Sequence, residues 1–325
     1  MFFRKNIAGT LAVLLLAAPA LAQTRYPSAP IKLIVPSTPG GVHDVIGRLW
    51  AERLTPLLGT IVVENQGGAG GAIGVGDAAR APADGYTLLL GSNSTHILNP
   101  LIMKSVRYDP FRDFDVVSVF ATTSTSVAVS ASSPWRTPGE LIDDARANPG
   151  KFSYAHGGVG AISHVTGELF KSLAGGIAIT PVPYKGMGPA QADVMGAQVP
   201  LFFPNVTGQV ASLDRNGNIR VLAVNSATRH KSLPAVPTAI EAGVPGMIAE
   251  SFFAIFAPAG LPADILARIN AETGRAFADP QFREKLAAGG FDPVAGIGPD
   301  RTKDYVRREF ERWAPLVKSL GVALE

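Results

Sequence analysis

The 325-residue chain contains no cysteine, which excludes disulfide scaffolds, thiol nucleophiles and thiolate-bound zinc or iron–sulfur sites. Charge is sparse, at 17% of residues, and nearly balanced, with 29 basic against 26 acidic side chains. No run of four basic residues occurs, so the electrostatic footprint of a nucleic-acid binder is missing. Beyond residue 22 no apolar stretch approaches the ~20 residues that span a bilayer. The five histidines (His43, His96, His156, His164 and His230) form no H-E-x-x-H and no i, i+4 pair, and there is no G-x-S-x-G elbow and no Walker loop. No metal, cofactor or catalytic residue is therefore expected. What is present is a 46% hydrophobic chain, enough for buried cores in two domains and too much for intrinsic disorder. Its 35 glycines and 26 prolines imply many ordered turns.

Residues 1–22 combine Arg4 and Lys5, a short apolar core, and Pro19 followed by Ala20-Leu21-Ala22. This is the layout of a secretory signal peptide cleaved before Gln23, and it predicts a periplasmic protein. The alternative of a membrane anchor fails on length. Removing Arg4 and Lys5 and no acid leaves 27 basic against 26 acidic residues, so the mature chain carries a net charge of only +1. Any attraction for an anion must be local.

Short apolar runs alternate with segments of helical period, the pattern of α/β architecture with largely parallel sheets. Strands are expected at 31–35, 61–64, 86–90, 152–155, 179–183, 199–203 and 219–224, with helices at 44–58, up to 79, 138–147 and 162–173. Two β-rich stretches interrupt this rhythm. Residues 116–130 are too long for one ordinary strand and can run from one sheet into another; residues 250–257 precede a C-terminal region of helices at 264–277, 279–287 and 301–316. This order fits a two-lobed α/β fold with two crossing strands at the hinge, lobe one from 23–125 and 250–325 and lobe two from 126–249. Such receptors close on a ligand by a hinge motion. A plain tandem of two domains is the alternative.

Each lobe carries a strand, a glycine-rich loop and a helix: Pro39-Gly40-Gly41-Val42-His43-Asp44 in the first, and His156-Gly157-Gly158-Val159-Gly160-Ala161 in the second. Ligands of open α/β sheets bind outside the carboxyl ends of strands, where both loops would lie. Helix N-termini there offer N–H donors and partial positive charge to a carboxylate. Asp44 reads as an N-cap that competes with such an anion, leaving the contact to the N–H groups of Gly40 and Gly41 or to bridging water. Either loop alone could also be an ordinary tight turn. A third loop, residues 67–74 (GGAGGAIG), invites a dinucleotide reading, but Ile73 stands where G-x-G-x-x-G needs glycine, and no acid follows strand 86–90 to hold a ribose. Four of the histidines, His43, His96, His156 and His164, are expected on cleft-facing loops as hydrogen-bond donors or as partners of local backbone; one titrating near neutrality could add charge for an anion.

Six blocks in order, 36–44 (PSTPGGVHD), 63–74 (VENQGGAGGAIG), 84–89 (DGYTLL), 164–170 (HVTGELF), 182–186 (VPYKG) and 222–238 (LAVNSATRHKSLPAVPT), resemble the signature blocks of the Bug family. These are the periplasmic substrate-binding proteins of tripartite tricarboxylate transporters. The resemblance implies a two-lobed Venus-flytrap fold, a small organic acid gripped between the lobes, delivery to membrane permease subunits, and a monomeric, non-enzymatic receptor with no cofactor. It places the ligand between the loop at Gly40-Gly41 and the loop from Gly158 to His164.

Departures from the family pattern bear on the ligand. Ser37 and Thr38 stand where an apolar Phe and a Pro or Ala are usual, which should enlarge or wet the pocket. His43 replaces a small hydroxyl residue, Ala161 replaces a serine, and Pro204 with Asn205 follows the strand near Phe203 where an aspartate is common. The expected ligand-binding set is Ser37, Thr38, Gly40, Gly41, Asp44, Asn93, Thr95, His96, Gly158, Gly160, Ala161, Ser163, His164, Phe203 and Asn205. A periplasmic hydrolase using His96 or His164 as base is one alternative function, and a sensor that docks on a signalling partner is another.

Overall fold

The computed structural model describes residues 26–294 and 298–322. The expected export segment, residues 1–22, lies outside them. The chain begins with β1 (Ile31–Val35), α1 (Val42–Leu58), β2 (Ile61–Asn65), α2 (Ala72–Ala79), β3 (Thr87–Ser92), α3 (Asn99–Ile102) and β4 (Phe114–Ser124). Only Thr125 separates β4 from β5 (Ser126–Ser130), which belongs to a second sheet. There follow α4 (Pro138–Ala147), β6 (Phe152–His156), α5 (Ile162–Leu173), β7 (Ile179–Pro183), α6 (Met187–Met195), β8 (Leu201–Phe202), α7 (Gly208–Arg215) and β9 (Ile219–Val224). The chain then returns to the first sheet with β10 (Glu250–Pro258) and ends in α8 (Ala263–Ala278), α9 (Pro280–Ala288), β11 (Asp292–Pro293) and α10 (Pro299–Leu320).

Two sheets, each with helices on both faces, define two lobes, in the orders β11-β4-β10-β3-β1-β2 and β7-β6-β8-β5-β9. Both are mixed, not largely parallel as the alternation of elements suggested. β2, β1 and β3 run parallel, but β10 opposes both β3 and β4. In the second sheet β7, β6 and β8 run parallel while β5 opposes β8 and β9. The reason is connectivity: a strand that arrives from the other lobe enters its sheet against the strand that leaves it.

Local sequence explains the elements that build the cleft. Ile31, Leu33, Ile34 and Val35 are buried in β1. In α1, Ile46, Trp50, Leu54 and Leu58 recur every four residues and are fully buried, each contributing roughly 1.5–3 kcal/mol by leaving water. The first turn of α4 is closed by Thr137, whose hydroxyl oxygen accepts from Glu140 N, with Pro138 opening the helix. Two short helices, α6 and α7, lie where none was expected; α7 is capped by Thr207, whose hydroxyl accepts from Val210 N.

The two crossings are tied together at one buried place. Thr125 donates to the Ala249 carbonyl from both its N–H and its hydroxyl, each at 2.9 Å. Asn225 N donates to the Thr125 carbonyl, Ala249 N to the Asn225 carbonyl, and the Asn225 amide to Thr125 Oγ1, all at 2.9 Å. The C-terminal helices pack back on the first lobe, with Val306, Trp313 and Val317 of α10 inside its core. Leu316 and Leu320 of the same helix also touch the core of the second lobe.

Candidate functional site

The first-lobe loop between β1 and α1 is organised by Asp44. This residue is not the N-cap; Gly41 holds that position without a side-chain hydrogen bond, and Asp44 sits in the first turn of α1. Its carboxylate accepts from Gly40 N at 3.0 Å, from Arg48 Nε at 2.9 Å and from the Asn65 amide at 3.0 Å. Burial works against its charge, but hydrogen bonds from Arg48, Gly40 and Asn65 outweigh it and hold the carboxyl below its usual range. The Gly40 N–H is therefore committed to Asp44, and Gly41 N donates to the Thr38 carbonyl. The donors this loop presents are the N–H groups of the first turn of α1, which have no intrahelical acceptor.

The second-lobe loop runs from Gly157 to Ala161 into α5. Ser163 accepts from Gly157 N at 3.0 Å, and His156 Nδ1 accepts from Gly158 N at 3.3 Å. Across the cleft, Ser94 of the first lobe accepts from Ile162 N at 3.0 Å. Asn99 donates to the Gly70 carbonyl at 3.0 Å while facing Gly160. The loops touch so closely that a Cβ on Gly70, at φ +61°, would lie 2.6 Å from the Val159 carbonyl oxygen, and one on Gly160, at φ +79°, would collide with Asn99 Oδ1. Gly70 of the third loop thus serves contact between lobes, a use that a dinucleotide reading does not foresee.

Enclosed between these loops is a cavity of about 340 Å³. Of the residues expected at the ligand, Ser37, Gly41, Gly158, Ala161, Ser163 and Asn205 line it. The others do not. Gly40 and Asp44 brace the loop behind it, and Thr38 turns its hydroxyl toward Gly186 of the second lobe. Asn93 accepts from Phe252 N and donates to Glu309, while Thr95 closes the turn at Ser92. Gly160 meets Asn99. Phe203 is buried in the second-lobe core against Tyr154 and Phe170.

The histidines divide between core and cleft. His96 is fully buried and stacked on Phe256 at 3.6 Å between ring centroids, with Nδ1 at 2.9 Å from the Thr95 hydroxyl. His164 packs against His156 at 4.6 Å, outside the cavity wall. His43, expected on a cleft-facing loop though not named in the ligand-binding set, lines the cavity; its Nε2 is 2.8 Å from Ser92 Oγ and its ring stands edge-on to Phe253. Burial lowers His43 to about 4, His96 to about 3 and His164 to about 4. Burial thus favours the neutral form of all three at pH 7. Among the described residues, Lys185 is the one cation on the cavity wall, in the loop from Tyr184 to Met187 that also contributes to it. The block containing Lys185 is visible in the sequence, but its reach into the cleft depends on the second lobe's closure over Thr38.

The profile of the family described as tripartite tricarboxylate transporter family receptor matches residues 46–322. The chain belongs to this receptor family. It is 37% identical over 312 residues to protein BugT of Bordetella pertussis, covering 95% of this chain and 94% of that one. A structure of Rpa4515 from R. palustris with adipate superposes with a TM-score of 0.88 at 35% identity, covering 92% and 99% of the two chains. The periplasmic binding protein BugD gives a TM-score of 0.87 at 31% identity, covering 92% and 100%. The receptor thus has the two-lobed fold of periplasmic binding proteins. It is a solute-binding receptor of that family. His96, one of the two bases a hydrolase would use, is sealed in the core, and His164 stands outside the cavity wall.

Proposed function

We propose that the chain is exported by residues 1–22 to the periplasm, where as a monomer it captures a small carboxylate between its lobes and hands it to the membrane permease of a tripartite tricarboxylate transporter. The observation that carries this reading is a single cavity built jointly by glycine loops of both lobes, with the first turns of α1 and α5 opening on it and Lys185 on its wall. The adipate in the R. palustris relative's structure supports a carboxylate as the class of ligand. Lobe one comprises residues 23–125 and 250–325, lobe two 126–249, and the hinge is the knot at Thr125, Asn225 and Ala249. Ligand contact is assigned to Ser37, Gly41, Gly158, Ala161, Ser163 and Asn205, joined by His43, Ser94 and Lys185.

Thermal denaturation of ligand-stripped protein against a panel of small mono-, di- and tricarboxylates tests this. A ligand at 100 times its dissociation constant stabilises the native state by about 2.7 kcal/mol and raises the melting temperature accordingly. A panel in which no acid shifts the melt overturns the assignment.

A further inference from the structure

Met103, the residue after α3, lines three spaces at once. One is the ligand cavity. The second is an outer depression of about 530 Å³ flanked by Lys104, Arg107, Phe111 and Phe310. The third is a smaller depression of about 270 Å³ that contains Ile73. A single unbranched side chain therefore forms part of the partition between the cleft and the outer surface. Its sulfur lies 3.3 Å from where a Cβ on Gly160 would stand, so it reaches across to the second-lobe loop. That loop gives the cavity a direction. Gly157 packs on Met187, Gly158 on the Tyr184 carbonyl, and Gly160 on Asn99 and Met103. Along this loop the segment Tyr184–Met187 therefore meets Gly157 and Gly158, and Met103 meets Gly160.

The two segments differ in chemistry. Lys185, the cationic residue on the wall, belongs to the first of these segments, whereas Met103 joins Val159 and Ile162 in one apolar cluster. Size points the same way. A 150 Å³ cavity accommodates benzene, and at that ratio about 340 Å³ holds about 14 non-hydrogen atoms, against about ten in a six-carbon diacid.

We propose that Met103 is the end wall of the cavity and limits ligand length, and that the ligand is an acid with one carboxylate at the Lys185 end and an apolar body ending on Met103. This rests on the carboxylate-receptor reading above and narrows its substrate class. Calorimetric titration of the mature receptor with straight-chain monocarboxylates from butanoate to dodecanoate, and with the matching α,ω-diacids, tests it. Affinity should rise about fourfold per methylene and then break off at a limiting length. Met103→Ala should move that limit to longer acids, Met103→Phe should move it to shorter ones, and Met103→Leu should leave it in place. Diacids should bind about tenfold more weakly than monoacids of equal length. A limit unmoved in both Met103→Ala and Met103→Phe, with both variants showing wild-type circular dichroism, overturns the end-wall assignment while leaving the receptor reading standing. Diacids that bind more tightly than monoacids overturn the single-carboxylate class. Acids that bind none of the four proteins sink the receptor reading and the proposal together.

Discussion

Replacing Gly160 by alanine should separate the strain of a loop from the contact that closes the lobes. At φ +79° an L-residue pays roughly 1–2 kcal/mol whether the cleft is open or shut. For a protein of this size that lowers the melting temperature by about 2–4 °C per kcal/mol. The new methyl also collides with Asn99 Oδ1 across the cleft, but only when the lobes meet. Asn99 must then swing away and release the Gly70 carbonyl, a hydrogen bond of about 0.5–1.5 kcal/mol, so ligand affinity should fall about two- to twelvefold. Asn99→Ala removes both the obstacle and the hydrogen bond. In that background Gly160→Ala should still lower the melting temperature and should cost no further affinity. Melting curves and calorimetric titrations of the four proteins form a double-mutant cycle. If Gly160→Ala weakens binding equally with and without the Asn99 side chain, the cross-cleft collision is not what limits closure.

Asp44→Asn should destabilise the receptor by about 1.5–3 kcal/mol at neutral pH, because the carboxylate accepts from Gly40, Arg48 and Asn65. Its native pKa is depressed, so this contribution is full above its ordinary value of 3.8 and fades as pH falls through the lower native one; melts of wild type and variant should converge in acid. Native His43, His96 and His164 titrate well below the 6.5 of the unfolded chain, at about 4, 3 and 4, so the unfolded state binds the extra protons. The melting temperature should fall as pH drops from 6.5 toward 4, while ligand affinity should stay level from pH 6.5 to 8. Lys185→Gln should weaken carboxylates about two- to fivefold at low salt, with the difference shrinking at high salt and absent for the matching neutral amides.

Elements with clean local signals are legible in the amino-acid sequence alone. The helices at Pro138–Ala147 and Ile162–Leu173 and the strand at Ile179–Pro183 lie where period and punctuation put them. The helix Met187–Met195 is hidden because Gly188, Pro189 and Ala190 blur any apolar stripe, and Gly208–Arg215 because its one signal is a single capping residue, Thr207. At the site, the loops are evident from composition but their details depend on distance. His96 owes its burial to Phe256, 160 residues away, and nothing near it in sequence distinguishes a core histidine from a cleft one. The third glycine loop and the segment around Lys185 reach the cavity only when two lobes meet. Their composition announces flexibility, and only tertiary contact turns it into a surface.

The knot of Thr125, Asn225 and Ala249 has a mechanical meaning. Because the outgoing and returning crossings are hydrogen-bonded to each other, whatever displaces one crossing acts on the other. A pair of labels, one on each lobe and far from the cleft, would test whether the lobes turn about this place when ligand binds, with no probe near the ligand.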